Sequence, residues 1–315
     1  MAFPAMNQET LKQAKEDLVA TLRLRERDPF PIFLRSWALT LLPLLLAFGL
    51  TASFPRWWAW LATAIVAGLT QNALGILMHE GSHYFCHRGR KASDTWCNLL
   101  VCLPIFNTVQ GYRTPHFEHH RSSGEPEDPY FELYADYPSR RHLLKGFLLD
   151  FTGISALRKF VVRYSRTEKP SPKPDVWYAV PGLFLIQVLI AGLCFVVTGK
   201  WYAYFFLWVF PLMTIPVSIN RLRTVVEHYP GLLGIKVNRT SLTGLIEYAC
   251  IAPYGYENHL EHHLLPQVPY YDLDYAHRFL ESHDVAFTEN EVNSRGYLQT
   301  FFRLAQEMGG RQSSP

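Results

Sequence analysis

Apolar residues in this chain are gathered into long runs, and the charged ones lie between them. A membrane span needs about 20 predominantly apolar residues, and four runs have that character: 37–54, 57–78, 177–198 and 201–219. Pro43 falls inside the first, where a span tolerates it. Only Pro55 and Arg56 separate the first run from the second, and only Gly199 and Lys200 the third from the fourth, so the pattern predicts two tight helical hairpins. Trp57, Trp58 and Trp60 suit a membrane–water interface. Minimal outer loops put both ends of the chain and every long polar segment on one side. Those segments carry nearly all the Lys and Arg, so the positive-inside rule makes that side cytoplasmic.

Weaker patterns fill the remainder. Residues 7–27 read as an amphipathic helix on the cytoplasmic surface. The apolar stretch 94–110 is short for a span and interrupted by Pro104, which predicts a re-entrant or interfacial helix. Between 141 and 167, Leu, Phe and Val alternate with Arg158, Lys159, Arg163 and Arg166. That alternation suits a helix on anionic headgroups, or a solvated basic face. Residues 169–174, with Pro at every second position, form a stiff linker, and 271–311 predict polar amphipathic helices that close over the cytoplasmic side. The expected fold is an all-α membrane protein, four transmembrane helices in two hairpins under a cytoplasmic helical cap. It forms a single domain over 1–315: an amphipathic segment 1–35, a first hairpin 37–78, a cytoplasmic or interfacial segment 79–176, a second hairpin 177–219 and a cytoplasmic segment 220–315.

Composition changes this picture little. Charged residues are 18% of the 315, against 49% hydrophobic, and the formal charge of +3 is too small to suggest nucleic acid. The first thirty residues are polar and mixed in charge with no apolar core, so no cleavable signal peptide is expected. Cys86, Cys97, Cys102, Cys194 and Cys250 are odd in number and show no CxxC spacing, which argues for reduced structural thiols over a disulfide framework or zinc ribbon. Cys86 stands out because it lies beside a histidine cluster.

The chemistry is in the histidines. Asn258-His259-Leu260-Glu261-His262-His263 sets three imidazoles at i, i+3 and i+4, and His116-Phe117-Glu118-His119-His120 repeats the spacing. His79-Glu80-Gly81-Ser82-His83 adds two more at i and i+4. Each box falls on one helix face, where its imidazoles can converge on one metal centre. Eight histidines in three clusters, out of thirteen in the chain, are too ordered for chance. Neutral imidazole suits Zn, Cu, Fe and Ni. One ion takes four to six ligands, so eight imidazoles imply two metals with four or five nitrogens each. His228, just beyond the fourth run, is a ninth candidate. A glutamate adjoins a histidine in every cluster (Glu80, Glu118, Glu227, Glu261), placed either to accept the second ring N–H and fix the tautomer or to bind metal directly.

These boxes, following the second and fourth spans, resemble those of the integral-membrane fatty acid desaturase superfamily, which also includes acyl hydroxylases and carotenoid ketolases. Pro126-Glu127-Asp128-Pro129 after Arg121, and Leu264-Leu265-Pro266 after His263, are most similar to bacterial acyl desaturases. The resemblance covers residues 35–283. It implies a non-haem di-iron centre, two Fe ions held by His79, His83, His116, His119, His120, His228, His259, His262 and His263. It further implies that O2 and two external electrons attack an unactivated C–H bond of a membrane lipid, acyl-CoA or acyl-carrier-protein substrate. No haem-binding His-Pro-Gly-Gly segment occurs, so the expected electron donor is a separate ferredoxin- or cytochrome b5-type protein. Two positions depart from the pattern: His87 extends the first box, and Thr224 stands where relatives can carry an Asn one turn before His228. His87 reaches a metal only if the helix continues towards Gly89. His142, His277 and His283 stand alone in polar stretches and read as surface histidines.

Other readings fit less of the chain. Residues 79–83 also satisfy HExxH, the zinc-protease signature with Glu80 as general base, but an intramembrane protease leaves at least five clustered histidines unexplained. A membrane metal carrier would place ionisable groups at bilayer depth, where these runs have almost none. Arg121, Arg221 and Arg223 are placed either to anchor an acidic headgroup or carrier phosphate, or as plain membrane-proximal charges.

Overall fold

The computed structural model describes residues 8–134, 137, 139–165, 178–230, 237–282, 292–293 and 295–310. The linker at 169–174 and His283 lie outside them. The chain is mostly helical and divides into two compact units. One comprises residues 29–117 and 137–222, the other residues 1–28, 118–136 and 223–315.

The first of these units contains most of the apolar helices. Among the described residues four helices are long and apolar enough to cross a membrane: Pro29–Ser53 (α2), Trp57–Ser82 (α3), Ala179–Thr198 (α9) and Phe205–His228. The last of these opens with a π-turn, Phe205–Val209, and continues as α10, Phe210–His228. Leu44, Phe48, Ala67, Cys194, Leu207 and Trp208 form a buried cluster between them. At Gly68 a Cβ would fall 2.5 Å from Ile215 Cδ1, so only glycine lets α3 and α10 approach this closely. Outward-facing Leu45, Leu46, Phe184, Leu189 and Val196 are exposed, the surface an apolar solvent would cover. Three spans are longer than their apolar runs, α3 continuing past 78 to Ser82. The first begins at Pro29, whose fixed φ and missing N–H suit a helix start, and α10 continues to His228.

Residues 94–110 do not form one helix. Arg90–Cys97 (α4) passes into a π-turn at Asn98–Cys102 and a 3-10 turn at Leu103–Ile105 that contains Pro104. Asn98 then ties the returning chain, donating to Gln110 and accepting from the Val109 amide at 2.8 Å. The basic stretch forms Arg140–Phe151 (α7) and Ile154–Ser165 (α8), joined through Gly153 at φ 77°. Leu144, Leu148, Phe151, Leu157 and Val161 make an exposed apolar stripe along them, the face a headgroup-bound helix needs. Arg221 is committed internally to Asp150 and Tyr137, so it is no headgroup anchor.

In the other unit, Gln8–Leu24 (α1) spends its apolar face on protein. Ala14 and Leu18 are buried against Leu265, Val268, Leu273 and Leu280, which corrects the expectation of a helix lying on the membrane surface. Tyr270–Ser282 (α13) supplies the last two of those leucines. Gly296–Gly310 (α14) closes the C-terminal part. One departure from an all-α fold is a two-residue parallel pairing of Thr240–Ser241 with Val292–Asn293.

Candidate metal centre

The histidine boxes ride on three helix ends. His79 sits in the last turn of α3, and His83 caps it, after which Tyr84 turns left-handed at φ 68°. That stop settles His87: it lies off the helix, its Nδ1 accepting from the Gly89 amide and its ring against Phe30, and it joins neither imidazole group. Gly81 has no room for a side chain, since a Cβ would lie 2.2 Å from Cys97 Sγ. Val109–Ser122 (α5) carries His116, His119 and His120, and the short helix His259–Leu264 (α12) carries the last box. The boundary between the units falls within α5, between Phe117 and Glu118.

In the unit of α3, the ring nitrogens of His79, His83 and His116 lie within 4.8 Å of one another. His83 Nε2 faces His116 Nε2 at 2.9 Å. In the other unit, His119, His228, His259 and His263 form a four-imidazole set under the same limit, three of them buried and His263 half-buried. His259 Nε2 faces His228 Nε2 at 2.9 Å, and separately His262 Nε2 faces His120 Nε2 at 3.1 Å. All nine candidate ligands therefore meet other candidates. The second and third boxes each divide their imidazoles: His119 and His263 belong to the four-imidazole set, whereas His120 and His262 face each other. Neighbouring residues on a helix point about 100° apart, so a pair at i+3 and i+4 diverges enough to serve two centres.

The donor chemistry fits a metal ion. His263 Nε2 is buried and has no hydrogen-bond partner among the described residues. Burial first, then the surrounding imidazoles, holds the His263 ring well below its ordinary pKa, and burial with His119 brings His120 down to about 4. Both are thereby kept neutral, the state that binds metal. Packing this many ring nitrogens face to face makes sense where a cation lies between them.

The supporting carboxylates differ from the sequence expectation. Glu80 accepts from His79 Nδ1 at 2.9 Å, as expected, which also turns it to the back of the ring and away from a protease base's position. Glu118 instead pairs with Arg121 on a partly exposed face. His119 takes Asp128, whose Oδ2 accepts from Nδ1 at 2.8 Å and from the Tyr134 hydroxyl at 2.6 Å. Burial works against the Asp128 carboxylate, yet those hydrogen bonds hold its pKa below the usual range. Asp128 was legible only as part of Pro126-Glu127-Asp128-Pro129, without a role. Glu261 turns to Thr240 and to His277 Nδ1 at 2.6 Å, so His277 is a buried scaffold residue and not a surface one. Glu227 is buried, with Oε1 accepting from Tyr297 at 2.7 Å and Oε2 lying 3.8 Å from His259 Nε2. Arg223 packs over the Tyr256 ring, buried, so it too anchors no headgroup. Thr224 is buried, and His142 is exposed with Nδ1 against Ser139.

Four span-length apolar helices fit a membrane protein, and the histidine clusters have the donors to bind a metal ion. The fatty acid desaturase family model matches residues 55–290, three quarters of the chain, and the protein belongs to that family. It is also similar to dihydrorhizobitoxine desaturase of Bradyrhizobium elkanii, 23% identical over 243 residues that cover 70% of this chain and 68% of that one.

Proposed function

We propose that the protein is an O2-dependent membrane oxidase that introduces a double bond into a fatty acyl chain. The observation that carries this reading is the four-imidazole set His119, His228, His259 and His263, in a chain of the desaturase family. On this reading those residues hold one iron of the di-iron centre that the family resemblance implies. Bound iron supplies the O2 activation that an unactivated C–H bond demands. The reaction balances as a –CH2–CH2– unit plus O2, two electrons and two protons giving –CH=CH– and two waters. A separate ferredoxin- or cytochrome b5-type donor provides the electrons.

The chain's own residues orient and insulate. Asp128 and Glu80 fix His119 and His79 with the proton on Nδ1, so that Nε2 offers its lone pair inward. Burial of His119, His228 and His259 limits water at the site. The relative's name supports desaturation as the reaction type; an acyl lipid, acyl-CoA or acyl-carrier substrate is our reading from the family. Both termini and the histidine boxes lie on the cytoplasmic side of a multi-pass topology in this proposal.

The test is a mass-spectrometric survey of lipids and carotenoids from cells expressing the chain, beside a His262→Ala control. Products two hydrogens lighter support the reading. Products heavier by one oxygen, or by an oxygen less two hydrogens, replace it with hydroxylation or ketolation.

A further inference from the structure

Residues 242–249 lie within the stretch that the sequence assigns to polar cytoplasmic structure, yet they read Leu-Thr-Gly-Leu-Ile-Glu-Tyr-Ala. The helix they open, Leu245–Cys250 (α11), presents its apolar side chains outward: Leu245 is 84% exposed and Ile246 79%. Leu242 and Tyr248 are exposed beside them. Glu247, its single acidic residue, is turned towards α14, where its two oxygens accept from the Tyr297 amide at 3.0 Å and the Leu298 amide at 2.9 Å. Those are among the first amides of α14, which have no partner inside their own helix. The carboxylate thus fixes α11 to the start of α14, where Leu298 and Phe302, one turn apart, are also exposed. A helix in water arranges itself the opposite way, charge outward and leucine inward. Six large apolar side chains held outward on a fixed scaffold mark an interaction surface.

The occupant this surface fits is a lipid bilayer. The chain belongs to a membrane family and carries four span-length apolar helices, so an extended apolar phase is at hand. The patch stands on a six-residue helix with no charge on its outward side, and exposed Arg295, with Arg303 (3.6 Å from Glu307), lies near it on the chain to meet anionic headgroups. The α7–α8 stripe in the other unit has the same make-up, exposed leucines with basic neighbours. We propose that α11 and the first turns of α14 form a lipid-docking face, with Leu245 and Ile246 seated at the headgroup–acyl boundary.

The test needs no activity and does not depend on the metal reading. A nitroxide is placed by Ile246→Cys in a Cys250→Ser background, and a reference by Arg278→Cys on the exposed face of α13. The full chain is reconstituted in phosphatidylcholine–phosphatidylglycerol vesicles. Collision with O2, which concentrates in the bilayer, is compared with collision with a water-soluble nickel chelate. At 246 the expected result is several-fold less nickel access and more O2 access than at 278, with Leu298→Cys behaving like 246. Equal nickel access at 246 and 278 overturns the proposal. So does spin–spin broadening that grows with protein density, which would make the face a contact between two copies of the chain.

Discussion

A neutral imidazole offers a metal one nitrogen when the other is fixed as a donor, and at His119 that task falls to Asp128. Asp128→Asn should lower metal affinity about 10- to 100-fold, read by competition with a chelator, and Tyr134→Phe should have a smaller effect in the same direction. The sequence pairs every histidine cluster with an adjacent glutamate, and of the four only Glu80 takes its neighbour's Nδ1. Adjacent helical residues point about 100° apart, so the carboxylate behind a ligand generally comes from elsewhere in the fold, nine residues on for His119. His277 shows the same limit, reading as surface from its polar neighbours but buried against Glu261. Burial pulls its pKa down, but the Glu261 hydrogen bond and charge, with Glu281 and Asp274, outweigh it and raise the pKa above the ordinary 6.5. A group whose folded pKa is raised stabilises the fold fully below its unfolded pKa and loses that contribution as pH rises through the folded value. Thermal stability should therefore decline as pH climbs from about 6.5 through the folded value, and His277→Gln should flatten that part of the profile.

Helix type and order were legible because apolar runs report the solvent directly; helix ends were not. The fourth span overruns its apolar run because Arg223, Glu227 and His228 are buried in protein, where hydropathy misreads them as a polar exit. The N-terminal helix erred in the reverse sense: its amphipathic face fits lipid or protein equally, and Leu265 and Leu273 decide for protein. Tyr297 joins α14 to the carboxylate beside the candidate ligand His228. Removing the donor to a buried carboxyl oxygen costs about 1–3 kcal/mol, so Tyr297→Phe should lower unfolding stability by roughly that amount. In denaturant titrations it should also reduce retained metal, whereas Phe302→Tyr on the exposed face of the same helix should change neither.

For the whole molecule, four spans with two minimal connections predict that position 200 and position 142 face opposite sides of the membrane. Cysteines introduced at Lys200 and His142 should react with a membrane-impermeant maleimide from opposite sides of sealed vesicles. Labelling of both from one side would remove the two-hairpin topology. The sequence carried the family, the four span-length helices and the clustering of all nine histidines. The sorting of the histidines into groups was hidden, since spacing along a helix fixes azimuth and not which neighbour packs against it.

Four of the five thiols are buried, and Cys250 alone is partly accessible. Burial pushes Cys86 and Cys102 well above the ordinary thiol range, which keeps the sulfur beside the first histidine box protonated and slow to react. The unmodified chain therefore carries its own dye-attachment point. A fluorophore coupled under native conditions should land on Cys250, at the end of α11, where a shift in its colour would report whether that helix lies in water or in lipid.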